Sequence, residues 1–130
     1  MNRRQVTGSL GEDFAARYLR SSLGWEIVLR NWRCAAGELD IVAMDGDCLV
    51  VVEVRTRRGV EPGAVVEAVN SRKLRQLYRV IRFFMAQFHE YTEHPIRVDV
   101  VALRLSGINI LELVHVRNAL MVDSIGSVRG

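Results

Sequence analysis

The chain has 130 residues, 49% of them apolar and 25% charged, with a formal net charge of +3, which is the make-up of one globular domain long enough to bury a core. No apolar run reaches the ~18 residues that a membrane span needs, and the start Met1-Asn2-Arg3-Arg4-Gln5-Val6 lacks the apolar stretch of a secretion signal, so no membrane partner is expected. Two cysteines, Cys34 and Cys48, without a Cys-x-x-Cys exclude a disulfide framework and point to a reducing cytoplasm.

In chain order, the spacing predicts a first helix from about Ser9 to Ser22, capped by Thr7 or Ser9 and ended by Gly24. Its apolar stripe is Leu10, Phe14, Ala15, Tyr18 and Leu19. Glu12 falls at the edge of that stripe, where it can lean toward a sheet; an acid near a helix start is equally explained by the helix dipole. Glu26–Trp32 reads as a strand. Gly37–Ala43 and Leu49–Arg55 read as two more, joined by the hairpin signal Asp45-Gly46-Asp47. Arg57–Gly63 is a loop. A second helix is expected from about Ala64 to Phe88, less regular before Ser71, with Leu74, Leu77, Tyr78, Ile81, Phe84, Met85 and Phe88 as its buried stripe. Lys73 borders that stripe, within reach of the sheet. After His94-Pro95, Ile96–Leu105 and Asn109–Val116 form another strand pair around Ser106-Gly107, with Arg97 and Asp99 on one strand face. Asn118–Met121 suggests a short closing helix. The whole is an α/β sandwich with a mixed five-stranded sheet flanked by helices, one domain over 1–122, and a disordered tail over 123–130.

The strands after Gly37 carry acids where acids are expensive. Side chains alternate along a strand, so Asp40 shares a face with Val42 and Met44, and Glu53 shares one with Val51 and Arg55. A Gly46-Asp47 loop sets Asp40 opposite Glu53. An Asp45-Gly46 loop sets Glu38 there, with Asp40 on the diagonal. In either register Asp40 and Glu53 project from one side, with directly opposed Cβ atoms ~5 Å apart. Two buried carboxylates that close need a positive partner. A divalent ion with oxygen ligands fits, and so does a structural ion pair with Arg55.

Charge is uneven along the chain. Residues 55–82 hold Arg55, Arg57, Arg58, Arg72, Lys73, Arg75, Arg79 and Arg82 against Glu61 and Glu67, a local +6 that leaves −3 elsewhere. A basic segment beside an acidic strand pair suits a polyanion, although a solvated helix face has the same look. Lys73 is the only lysine beside 17 arginines. No phosphate-binding loop, dinucleotide fingerprint, His-Glu-x-x-His or Gly-x-Ser-x-Gly occurs, and His89, His94 and His115 lack ligand spacing.

An acid, a tight hairpin and then Glu-x-Arg on an apolar strand resembles the core of metal-dependent nucleases such as restriction endonucleases and Holliday-junction resolvases. Gly11-Glu12, Arg30-Asn31-Trp32-Arg33, Gly37-Glu38-Leu39-Asp40-Ile41-Val42-Ala43 and Val52-Glu53-Val54-Arg55-Thr56-Arg57 come in that order. Glu67-Ala68-Val69, Lys73, Arg97-Val98-Asp99-Val100-Val101 and His115-Val116-Arg117-Asn118-Ala119 follow. Together they resemble the YraN family of small bacterial proteins, described as predicted endonucleases, over Gly8 to Ala119.

The resemblance implies a restriction-endonuclease-like fold and hydrolysis of phosphodiester bonds, with branched DNA as substrate. It implies that Asp40 and Glu53 bind Mg²⁺ or Mn²⁺ with the Val54 carbonyl, and that Glu12 is an additional acid. Lys73 would steady the scissile phosphate. Arg57, Arg58, Arg72 and Arg75 would hold the nucleic acid, and cutting two strands of a junction would require a homodimer. Arg55 departs from the usual lysine; an arginine stays protonated and cannot act as a base, though it can hold a phosphate. A nucleic-acid-binding module without efficient cleavage, and a protein-interaction partner in DNA processing, are the rival expectations.

Overall fold

The computed structural model describes residues 3–59, 61, 71–124 and 127–129; for 3–5, 71–73 and 121 onward the description is of the backbone alone. The elements are α1 (Arg3–Arg17), a π-helical turn (Tyr18–Ser22), β1 (Glu26–Cys34), β2 (Gly37–Asp45), β3 (Cys48–Arg58) and α2 (Ser71–Gln87). A 3₁₀ turn (His89–Tyr91), β4 (Ile96–Ser106), β5 (Asn109–Ser124) and β6 (Ser127–Arg129) complete them. Strands lie side by side in chain order. β1, β2 and β3 form an antiparallel meander, β3 and β4 run parallel, and β4, β5 and β6 are antiparallel again. The first five strands make the expected mixed sheet.

The faces follow from period-two alternation. Ile41, Ala43, Val50 and Val52 meet Ala15 and Ala16 of α1 and Leu19 of the π-helical turn on one side. Val42, Leu49 and Val51 meet Leu74, Ile81, Phe84 and Met85 of α2 on the other. Strands buried on both faces must be apolar throughout, which is why β2 and β3 read as near-continuous hydrophobic runs. Gly11 marks the closest approach of α1: a Cβ there would lie 1.9 Å from Thr56 Oγ1 and 3.0 Å from Thr56 Cβ.

Three expectations change. α1 begins six residues before the predicted Ser9, so neither Thr7 nor Ser9 is its cap; Thr7 Oγ1 instead accepts a hydrogen bond from Arg58 Nε at 2.7 Å. The predicted helix at Asn118–Met121 is strand. There β5 bulges: Val98 pairs with Leu120 and Val100 with Val116, so three residues of β5 face Asp99 alone. Asn118 takes φ 52 within that bulge, and its N–H goes to Asp99 Oδ1 at 3.0 Å. A buried carboxylate that must be satisfied thus overrides the weak helical preference of Ala119-Leu120-Met121. The tail assigned to disorder contributes β6, which pairs with Met121–Ser124. The described part of α2 starts at Ser71, where the sequence allowed a fresh start; the predicted helical stretch before it, including Glu67, lies outside the described residues.

Candidate metal centre

The hairpin between β2 and β3 settles which acids meet. Asp45 pairs with Cys48, so the loop is Gly46-Asp47, with Gly46 at φ 58. The paired residues end at Ile41 and Val52, and the next step sets Asp40 across from Glu53. The ladder stops there because Asp40 takes its place: Val54 N–H donates to Asp40 Oδ2 at 2.8 Å. The β1 side is disturbed at the same level. Arg30 reaches Asp13 of α1, whereas Trp32 packs edge-on against Phe84 of α2, so the chain changes face across Asn31, which sits at φ 54. Asparagine tolerates that left-handed conformation better than most residues. Asp40 therefore sits where the β2–β3 pairing stops and beside the left-handed Asn31 of β1, while the β1–β2 register holds on either side of it.

Asp40, Glu53 and Arg55 are each only 8% exposed. They line a cavity of about 380 Å³ walled by Ala36, Gly37 and Glu38 at the turn from β1 into β2 and roofed by Gln76, Leu77 and Val80 of α2. Burial, and next the charge of Asp40, push the Glu53 carboxyl from its ordinary 4.5 up to about 7. Burial raises Asp40 too, opposed by the Val54 N–H and by a hydrogen bond from Glu53. Glu53 therefore titrates near neutrality, and when protonated it can donate to Asp40. Arg55 Nη1 is hydrogen-bonded to Glu53 Oε1 and pairs with it. The guanidinium neutralises one acid without filling the space in front of both.

The donor set suits a hard divalent ion. Mg²⁺ is commonly held by one or two carboxylates and keeps several waters, and the cavity has room for them. Among the described residues no group of three or more His, Cys, Asp or Glu side chains is gathered to hold a metal, so Glu12 does not complete a three-acid cluster. Glu12 lies on α1, hydrogen-bonded to the Asn31 side chain; burial raises its carboxyl, and the Asp40 charge adds to that. It senses Asp40 from the α1 side without lining the cavity. Glu38, whose face the sequence left undecided, stands at the cavity wall and is paired with Arg33 at 3.1 Å.

The expected nucleic-acid contacts divide. Arg57 is exposed and bonds Thr56 O. Arg58 is held in the structure, bridging Thr7 Oγ1 and Gly107 O. Arg75 is exposed on α2. The side chains of Arg72 and Lys73 lie outside the described residues. Sequence reasoning missed Asn31 and the Gln76 roof. The clue to Asn31 was the break in alternation at Arg30-Asn31-Trp32; Gln76 carried none.

A second buried acid sits on the α1 face. Asp99, fully buried, accepts from Arg97 Nε at 3.0 Å, His115 Nε2 at 2.8 Å and the Asn118 N–H at 3.0 Å. His115 Nδ1 accepts the Tyr18 hydroxyl at 2.7 Å, so both ring nitrogens are satisfied. Arg97 also reaches Asp45 at 2.8 Å, and its guanidinium lies 5.2 Å from the Trp25 ring centre. Burial works against Asp99, yet the His115 and Arg97 hydrogen bonds hold its carboxyl below the ordinary range.

Among the described residues no helix is long and apolar enough to cross a membrane. Residues 11–103 match the model of the "Uncharacterised protein family UPF0102". A UPF0102 protein of Arthrobacter sp. (strain FB24) is 44% identical over 117 residues, 90% of this chain and 98% of its own length. One from Frankia casuarinae is 39% identical over 119 residues, 92% of this chain and 99% of its own. One from Roseiflexus castenholzii is 48% identical over 102 residues, 78% of this chain and 81% of its own. With its central 93 residues and its near-full-length relatives in agreement, the chain belongs to the UPF0102 family, which is the YraN family.

Proposed function

We propose that this protein is a metal-dependent endonuclease acting on DNA in the cytoplasm, with branched DNA as the substrate to try first. The observation that carries the reading is the convergence of Asp40 and Glu53, both buried and from neighbouring strands, at one open cavity. A structural acid pair would be closed off by donors on every side; this one faces room for solvent and a phosphodiester. Asp40 and Glu53 would hold Mg²⁺ or Mn²⁺, which when bound acidifies water and offsets charge on the phosphoryl group. The chain's own groups do the rest. Val54 N–H fixes the Asp40 carboxylate. Arg55 holds Glu53 in place and presents the remainder of its guanidinium to an incoming phosphate. Glu53, raised by burial, would have to be deprotonated to hold a cation.

Arg55 also favours a second reading. Arginine supplies no base, and its pairing to Glu53 fits a module that binds nucleic acid with little cleavage. Incubating a labelled four-way junction with the protein in Mn²⁺ separates the two. Cleavage by the wild type that is lost in Asp40→Asn and in Glu53→Gln, with binding retained, supports the enzyme. Salt-sensitive binding with no cleavage in either metal supports the module.

A further inference from the structure

The nuclease reading makes no use of Arg79, Arg82 and Phe83 on the outer face of α2. Arg79, Arg82, Phe83 and Ala86 line a second, more open hollow there, of about 360 Å³. Phe83 is 45% exposed, whereas the adjacent Phe84 is fully buried. A single exposed ring is ordinary on a protein surface; its neighbours make this one informative. Arg79 is one helical turn before Phe83 and Arg82 is beside it, so two guanidiniums flank an uncovered aromatic face. Among the described residues neither arginine makes an ion pair, and Arg82 lies 5.9 Å from the Tyr78 ring centre.

That combination selects a partner by chemistry. An apolar protein surface would have to bury two cations without compensation. A duplex contacts arginines through its phosphates but keeps its bases stacked on each other. A single strand offers both an unpaired base for the ring and phosphates for the cations. The location fits as well. Gln76 and Val80 line the acid cavity, and Arg79 and Phe83 continue the same strip at i+3 and i+7 from Gln76. From Gln76 to Phe83 is about 10 Å of helix.

We propose that the Arg79–Arg82–Phe83 hollow is a docking platform for an unpaired base and its flanking phosphates, on a single-stranded DNA segment running out of the acid cavity. The choice of DNA rests on the nuclease reading; the platform is tested without metal, so the two can fail separately.

The test is fluorescence anisotropy of a labelled oligothymidylate, and of a blunt duplex, in EDTA at low salt. Phe83→Ala is expected to weaken single-strand binding about tenfold and leave duplex binding unchanged. Phe83→Trp should keep the affinity, with its indole emission quenched on binding. Replacing both arginines, Arg79→Gln with Arg82→Gln, should weaken single-strand binding and flatten its salt dependence. All these side chains are exposed, and unchanged melting temperatures will show that the variants fold. Equal affinity of the wild type and Phe83→Ala for the oligonucleotide overturns the platform, as does binding to anionic vesicles without binding to the oligonucleotide. Loss of strand binding in Phe83→Ala, with no cleavage in any metal, leaves the platform standing and removes the enzyme. Cleavage that needs Asp40, with strand binding indifferent to Phe83, does the reverse.

Discussion

Two buried acidic sites occupy opposite faces of one sheet, and they are solved in opposite ways. Asp99 is fully enclosed and receives hydrogen bonds from an arginine, a histidine and a backbone N–H, which together outweigh its burial and lower its carboxyl. Asp40 and Glu53 are almost as buried, yet between them they have one backbone N–H and one guanidinium, and both are raised. The strand Arg97-Val98-Asp99 and the strand Glu53-Val54-Arg55 look alike as sequence: an acid and an arginine two apart on an apolar strand. What separates them is the count of donors around the acid and whether space remains in front of it. A fully satisfied carboxylate holds the fold together. One left short of donors at an open cavity is available for a cation.

Breaking the satisfied site should have the largest effect. Asp99→Asn removes the charge facing Arg97 and His115 and is expected to cost roughly 3–5 kcal/mol in a denaturant titration. A loss under about 1 kcal/mol would show that the two sites are not different in kind. Glu53→Gln should act in the other direction. With Glu53 raised from 4.5 to about 7, the folded state holds a proton that the unfolded chain has released. Its contribution to stability is full below 4.5, declines as the pH rises to about 7, and is level beyond. In metal-free buffer at pH 8 the glutamine variant should therefore be more stable than the wild type, by roughly 1–3 kcal/mol, and this advantage should vanish near pH 4. Asp99, being lowered, has the mirror profile: its contribution is present above the ordinary carboxylate pKa and is lost as the pH falls below it.

A smaller effect sharpens the contrast through the metal. Because a cation competes with the proton that burial favours on Glu53, Mn²⁺ should raise the melting temperature more at pH 8 than at pH 6, and not at all in Asp40→Asn/Glu53→Gln. An equal shift in the double variant would place the ion elsewhere. The smallest expected change in stability is Arg55→Lys, at about 1 kcal/mol or less, since the charge beside Glu53 remains. Its informative readout is cleavage of the junction. A rise would mean that arginine limits the rate, and a fall would mean that the guanidinium is needed at the phosphate.

Much of this was legible in the sequence because the relevant signals are periodic. Alternation along β2 and β3, and the hairpin between them, brought Asp40 and Glu53 together before any coordinates. The turn chemistry left two registers open, and the Gly46-Asp47 loop chose between them. What alternation could not show were the places where it fails. Asn31 turns β1 over within one residue, and Asn118 bulges β5 so that its N–H meets Asp99. Both conformations are imposed by groups distant in sequence, so local preference had nothing to say about them. The contribution of Glu12 was half legible. Its helix face leads it toward the sheet, but α1 covers the face opposite to the one that α2 roofs, so Glu12 stays outside the cavity wall.

The parallel pairing of β3 and β4 has one more consequence. Neighbours that run the same way force the polypeptide to travel back along the sheet before it can continue, and here that return path includes α2. The segment that topology obliges to recross the sheet is also the ceiling over Asp40 and Glu53. A hairpin alone would have left those carboxyls in bulk water with ordinary acidity. Enclosure, and with it the unusual proton affinity, arrives only when the long-range strand docks, so the chemistry of the site is a product of completed folding rather than of the hairpin that carries its residues.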